Sequence, residues 1–196
     1  MPRITALTSD RAGSQVLVEL DGVPWRRIPV EVAARAGLSV GAELRRAELR
    51  HLRRELHRAE ALDVAARALL HRDRSRATLQ TRLAAAGIPP WAREQALETL
   101  ERAGVVDDRR FAGTRAAALA ARGSGDALIR AELLEAGVGE DDIDRAIHAL
   151  EGEWERAARV VAVRGESAAT ARWLARRGFG EDAIEAALPR LVADGS

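Results

Sequence analysis

The glycines at 87, 137 and 178 stand in the same surroundings, and that recurrence limits the fold more than any other feature of this 196-residue chain. The three stretches are "RLAAAGIPPWAREQALETLERAG" (82–104), "ELLEAGVGEDDIDRAIHALEG" (132–152) and "WLARRGFGEDAIEAALPRLVADG" (173–195). Four positions before each glycine is a leucine: Leu83, Leu133 and Leu174. One position after comes Ile88, Val138 or Phe179. Nine after are Ala96, Ala146 and Ala187, ten after are Leu97, Ile147 and Leu188, and thirteen after are Leu100, Leu150 and Leu191. Intervals of four, three and one trace one face of an α-helix. A glycine at the foot of such a face suits the left-handed residue that ends a helix. The apolar residue past it is placed to fold back on the helix it leaves.

Each glycine-terminated helix is expected to follow another helix, at about 61–72, 107–122 and 153–164. Ser75, Ser124 and Asp107 or Asp108 are candidate N-caps, and Pro90 suits a first helical turn. The chain thus divides into repeats at 61–106, 107–152 and 153–196. Two positions depart from the pattern. Six after the glycine, Arg93 stands where the other units have Ile143 and Ile184, with Trp91 available to cover that surface. Pro189 has no N–H to give the last helix, which should kink or stop near Leu188.

The segment before the repeats, residues 1–60, has a different texture. "ITALT" (4–8), "SQVLVEL" (14–20) and "PWRRIPV" (24–30) hold β-branched residues with partial alternation. Asp21-Gly22 between the last two is a two-residue hairpin signal. A two- or three-stranded antiparallel sheet is expected, leaning on a helix. "VEVAARAGL" reads as a short helix ended by Gly37, and a long helix should run from about 41 to 72. The whole is mainly α: three tandem three-helix repeats in an elongated, curved array, preceded by a small antiparallel β-sheet and helices.

Composition narrows the chemistry. All 31 basic residues are arginine, and cysteine and tyrosine are absent. That excludes thiolate zinc sites, disulfides, a Schiff-base lysine and a Walker lysine. Arginine instead offers a planar fork for phosphate or carboxylate. Residues 1–123 carry 22 arginines against 15 acids, whereas 124–196 carry 9 against 15. A basic front and an acidic rear suit a protein that meets polyanion with one part and protein with the other. No apolar run approaches a membrane span, and the N-terminus lacks a secretory signal, so a cytoplasmic location is expected.

Two arginine-rich stretches are candidate contacts with nucleic-acid backbone or an acidic protein surface. In "RRAELRHLRRELHR" (45–58), Arg46, Arg50 and Arg54 recur every four residues, with Leu49, Leu52 and Leu56 on the opposite face. Like charges at that spacing disfavour an isolated helix and suit a phosphate-binding stripe. In "VDDRRFAGTRAAALAARGSG" (106–125), Arg109, Arg110, Arg115 and Arg122 are the candidates; Arg115 and Arg122 share a face, and neither faces an acid four residues away within that helix. Phe111 is assigned to the core. Trp173, with Arg176 and Arg177 beside it, is a candidate protein contact, because its slot holds Arg82 and Glu132 in the other units; covering a gap left at Pro189 is the competing role. Trp25, Trp91 and Trp154 are assigned mainly to packing. With two phenylalanines and no tyrosine, no aromatic platform for single-stranded nucleic acid is expected. The carboxylates of "GEDDIDR" (139–145) complement a helix dipole, the four histidines lack ligand spacing, and no nucleophile–base pair is found. No metal or cofactor is called for.

The repeats, with "AGVVDDRRFA" (103–112), "RLAAAGI" (82–88), "ELLEAGV" (132–138), "LARRGFGEDAIEAAL" (174–188) and the opening "RITALT" and "VELDG", resemble the RecX family, bacterial regulators of the RecA recombinase. The resemblance covers nearly the whole chain and rests on the order and number of repeats. It implies a non-enzymatic regulator that binds the RecA–single-stranded-DNA filament, with single-stranded and duplex DNA as further partners; repeats within one chain make self-association unnecessary, so a monomer is expected. It implies inhibition of strand exchange, ATPase and coprotease activity, and so modulation of recombination and the SOS response. Two other readings are open from the residues alone: a helix-turn-helix-like transcription factor, and a metal-dependent nuclease using Asp141 and Asp142.

Overall fold

The structure, a computed structural model, describes residues 1–189. Within them are ten helices and one three-stranded antiparallel sheet. The chain divides into two compact units: Met1–Leu70 with Gln80–Thr99, and His71–Leu79 with the chain from Leu100 on.

In the first unit, β1 (Ile4–Ser9), β2 (Gln15–Leu20) and β3 (Val23–Pro29) pair in sequence order. Asp21 and Gly22 both take positive φ, 51° and 82°, the conformation a two-residue hairpin turn of matching twist requires. The β1–β2 turn is held by the Asp10 carboxylate, which accepts from the amides of Ser14 and Gln15. The short helix α1 (Val30–Arg35) ends at Ala36, and Gly37 follows at φ 64°. α2 (Arg46–Leu69) lays Leu52, flanked by Leu49 and Leu56, on a core of Ile4, Val16, Val18, Ile28, Val32 and Leu44.

α2 begins five residues later than expected. The intervening backbone pairs with the N-terminus instead: Gly41 N–H donates to Ile4 O, Ile4 N–H to Ala42 O, and Leu44 N–H to Pro2 O. These bonds, with Gly41 at φ 89°, take up residues that the helix would otherwise use. α2 also runs unbroken through residue 60, where the sequence pattern changes from the opening segment to the repeats.

The helices α3 (Arg76–Ala85), α6 (Asp126–Glu135) and α9 (Ala168–Arg176) are those that the repeated glycines close. Gly87, Gly137 and Gly178 have φ of 76°, 73° and 81°. In each case the residue past the glycine donates its N–H to the leucine four before it: Ile88 to Leu83, Val138 to Leu133 and Phe179 to Leu174. This is the six-to-one bond of a Schellman turn. All three leucines are fully buried, and Ile88, Val138 and Phe179 are buried with them. Each buried leucine contributes about 2 kcal/mol by removing apolar surface from water.

The helices after the glycines are α4 (Pro90–Arg102), α7 (Glu140–His148) and α10 (Glu181–Ala187), with Ala96, Ala146 and Ala187 buried on them. Where the first repeat has Arg93, the preceding Ala92 fills the core, and Trp91 stays exposed rather than covering that surface. α10 ends at Ala187 with Leu188 as its buried cap, the stop expected ahead of Pro189. Leu191 lies outside the described residues.

The remaining helices, α5 (Asp108–Ala121) and α8 (Glu153–Arg164), lead the later repeats. α5, α6 and α7 share one core cluster, with Phe111 packed at its margin; α8, α9 and α10 share another. Asp107 caps α5 by accepting from the Arg110 amide, and Ser75 caps α3 by accepting from the Thr78 amide. Ser124 is not a side-chain cap. Gly125 takes the cap position of α6, and the buried Ser124 hydroxyl accepts from Arg177.

One junction recurs in the second unit. At the start of α3, the Arg76 amide donates to Asp108 Oδ1 at 2.7 Å, the Ser75 hydroxyl donates to Ala136 O, and Ala77 lies against Gly137. At the start of α6, the Asp126 amide donates to Glu153 Oε1 at 2.6 Å, the Gly125 amide donates to Arg177 O, and Leu128 lies against Gly178. In both, a carboxylate from the first turn of the following repeat's lead helix takes the first free amide of a helix. A Cβ on Gly137 would lie 2.4 Å from the Ala77 Cβ, and one on Gly178 would lie 2.5 Å from the Leu128 amide nitrogen. The glycines therefore end a helix and also admit the neighbouring helix start.

Candidate nucleic-acid interface

The α2 stripe is built by the division of that helix into two faces. Leu49, Leu52 and Leu56 turn to the sheet, which leaves Arg46, Arg50, Arg53 and Arg54 exposed. None of these four makes an ion pair or hydrogen bond with a described residue. Four unpaired guanidiniums thus occupy nine residues, about 12 Å of helix. Each like-charged pair at four-residue spacing costs an isolated helix about 0.2–0.5 kcal/mol. Burial of Leu52 alone exceeds any one such cost. The flanking arginines are engaged: Arg45 faces Glu43 at 3.6 Å, and Arg58 donates to Glu55 and Gln95. Arg53, free like its neighbours, was missed because it falls outside the strict four-residue spacing.

The α5 arginines do not form a free row. Arg110 donates to the carbonyls of Gly104 and Val105, which ties the end of α4 to the start of α5. Arg115 is paired with Glu132 of α6 at 2.7 Å. Arg122 donates through Nε to Ala118 O of its own helix. Arg109 is exposed and has no partner among the described residues. An acid four residues away is only one source of a partner. Here the acceptors are turn carbonyls and a carboxylate on another helix, which spacing within α5 cannot register.

The structure does bring Arg122 and Trp173 together. They line a groove of about 450 Å³ with Arg159, Val160, Val163 and Arg164. Trp173 is half-buried, with its ring against Gly123. The Arg164 and Arg177 guanidiniums lie over that ring at 4.7 and 5.6 Å from its centroid, in the range of cation–π attraction. Trp173 therefore covers the end of α5 and is not a freely exposed contact. Arg177 is likewise engaged: it donates to the carbonyls of Arg122 and Gly123 and to the Ser124 hydroxyl. The Arg122 carbonyl is one that the end of α5 leaves without a partner inside the helix. Arg176, the preceding residue, is exposed and has no partner among the described residues.

Arg156 was not singled out in the sequence. It is 4% exposed, donates to the carbonyls of Ser124 and Glu151, pairs with Asp126 and lies over the Phe179 ring. Nothing in the sequence separates it from thirty other arginines, since its partners come from three different segments. The remaining tryptophans also differ from expectation. Trp25, Trp91 and Trp154 are 42%, 44% and 53% exposed. They sit on a sheet-edge strand and in two first helical turns, where one side of the backbone faces solvent.

The carboxylate-rich start of α7 is held locally. Arg145 pairs with Asp142 at 2.7 Å, and Arg130 pairs with Asp144. Among the described residues no group of three or more His, Cys, Asp or Glu is arranged to hold a metal ion, and no helix is long and apolar enough to cross a membrane. Among the described residues, Asp108 is a half-buried acid whose carboxyl is pushed above its ordinary range. Burial is the main cause, and the nearby Asp142 and Asp107 act in the same direction; the hydrogen bond from the Arg76 amide and the charge of Arg76 oppose it.

Residues 107–147, from the α5 cap to the end of α7, match the family model described as RecX, second three-helix domain. Regulatory protein RecX of Xanthomonas oryzae pv. oryzae (strain MAFF 311018) is 37% identical over 129 residues, covering 61% of this chain and 81% of that protein. Regulatory protein RecX of Halorhodospira halophila (strain DSM 244 / SL1) is 34% identical over 135 residues, covering 64% and 84%. A crystal structure of regulatory protein RecX superposes with a TM-score of 0.77 over 95% of this chain and 98% of the other, at 20% identity. That last likeness is one of fold.

Proposed function

This chain belongs to the RecX family, and from that premise we propose that it binds the RecA–single-stranded-DNA filament and restrains it. In this reading it lowers recombinase, ATPase and coprotease activity and so modulates recombination and the SOS response. The observation that carries it is kinship over more than four-fifths of two regulatory proteins. The free arginines of α2, together with Arg109, support a contact with DNA phosphates in the filament. Arg176 supports a contact with protein. The division at 61–106, 107–152 and 153–196 belongs to the same reading, each repeat offering its own contacts to successive subunits of a polymer. So do a cytoplasmic site of action and a monomeric state.

The test is RecA ATPase on single-stranded DNA, titrated with this protein. ATPase should fall as the protein approaches stoichiometry with RecA. Undiminished ATPase at stoichiometric excess sinks the proposal, and sequence-specific duplex binding in its place would favour a transcription factor.

A further inference from the structure

The first unit contains a cavity of about 440 Å³ between α2 and α4, lined by His51, Arg54, Glu55, Arg58, Trp91 and Gln95. We propose that it holds one nucleotide of a DNA single strand, its base stacked on Trp91 and its phosphate on Arg54.

The lining is rich in donors. Arg54 has no partner among the described residues. Arg58 uses Nε on Gln95 Oε1 and Nη1 on Glu55 Oε1, which leaves Nη2. Its bond to Gln95 takes up that side chain's oxygen and leaves the amide nitrogen to donate. The Trp91 indole N–H is unpaired as well. Against these stands one carboxylate, Glu55, whose Oε1 accepts from Arg58 while its buried Oε2 has no partner among the described residues, so the donors outnumber the acceptors. Such a set calls for an anion. Trp91 adds an aromatic surface. It is exposed, and it meets His57 edge-to-face at 6.3 Å and 81°, a contact that steadies the ring. A guanidinium row beside an exposed indole takes both parts of a nucleotide, the phosphate and the base.

Two features favour a strand over a free nucleotide or a duplex. Arg50 and Arg46 continue the row one and two turns back along α2, at intervals of about 6 Å. A single nucleotide would leave them idle, whereas a strand presents further phosphates. Stacking on Trp91 also needs a base whose face is open, which pairing in a duplex denies. The volume is that of a small-ligand site. The inference deepens the filament reading by naming the residues that would meet DNA, and it rests on that reading only for the source of the strand.

The experiment is fluorescence anisotropy of labelled oligodeoxythymidylate with the full chain, at several salt concentrations. W91A should weaken binding about tenfold, the size of one base stack, and W91F should recover most of it. R54Q should weaken binding and flatten the slope of log affinity against log salt by about 0.7. A duplex of equal length should not respond to W91A. Thermal melts confirm folding; if W91A does not fold, W91F and R54Q carry the test. Wild-type affinity in W91A, equal losses on duplex, or no binding of the oligonucleotide by the wild type would each overturn the proposal. RecA ATPase is measured alongside. Inhibition by the wild type with oligonucleotide binding indifferent to Trp91 rejects the cavity and keeps the filament reading. Trp91-dependent binding without inhibition does the reverse.

Discussion

Gly87, Gly137 and Gly178 occupy equivalent places, yet their substitution should not cost the same. A Cβ on Gly87 would meet nothing within 4 Å. Gly87→Ala then carries only the left-handed backbone penalty, about 1–2 kcal/mol. At Gly137 and Gly178 the same penalty is joined by a collision with Ala77 or with the Leu128 backbone. Overpacking adds about 1–3 kcal/mol, more where backbone must move. Urea melts of the three alanine variants should rank Gly87→Ala mildest and Gly178→Ala most damaging. Equal losses would show that the close approach at the junction carries no energy.

Asp108 makes a second residue-scale prediction. An aspartate whose folded pKa is raised holds its proton more tightly folded than unfolded. Its contribution to stability is present below the ordinary value of 3.8 and is lost as pH rises through the folded value above it. Asp108→Asn keeps an oxygen for the Arg76 amide and removes the titration. The variant should therefore gain on the wild type as pH rises from 3 to 7, read from melting temperatures at each pH. A constant difference across that range would refute the link.

At the scale of the element, α2 shows how a helix tolerates a row of like charges. Its apolar face is buried against the sheet, so the arginine face is carried rather than self-stabilised. Replacing Arg46, Arg50 and Arg54 together with glutamine should leave the melting temperature unchanged or slightly raised. It should weaken binding to single-stranded DNA or to the RecA filament, and flatten the salt dependence by about two ions released. α5 differs, since Arg115 and Arg110 spend their donors on Glu132 and on turn carbonyls. Charge density along the sequence is similar in the two helices; what separates them is whether other segments supply acceptors. The start of α2 makes the same point. Periodicity extends the helix back to about 41, but pairing of Gly41–Leu44 with the N-terminus claims those residues first.

At the scale of the molecule, kinship and repetition point the same way. The family model covers one repeat, and the curated relatives cover about three-fifths of the chain. The helices, the sheet, the hairpin turn and the buried leucines were legible because each is set by local rules: side-chain period, turn chemistry and the special conformation that glycine allows. The candidate site was legible only in part. Arg46, Arg50 and Arg54 emerged from spacing, because a free surface group needs nothing but its own helix face. Trp91, Trp173, Arg156, Arg115 and Arg177 could not be assigned that way, because a side chain's role there depends on what stands opposite it. By itself the sequence determined where the glycine-closed helices end and which faces they bury. Only the tertiary structure decided which arginines are spent on carbonyls and carboxylates and which tryptophans face solvent, since partners such as Glu132 for Arg115 and Ser124 for Arg156 lie 17 and 32 residues away along the chain and within hydrogen-bond reach in space.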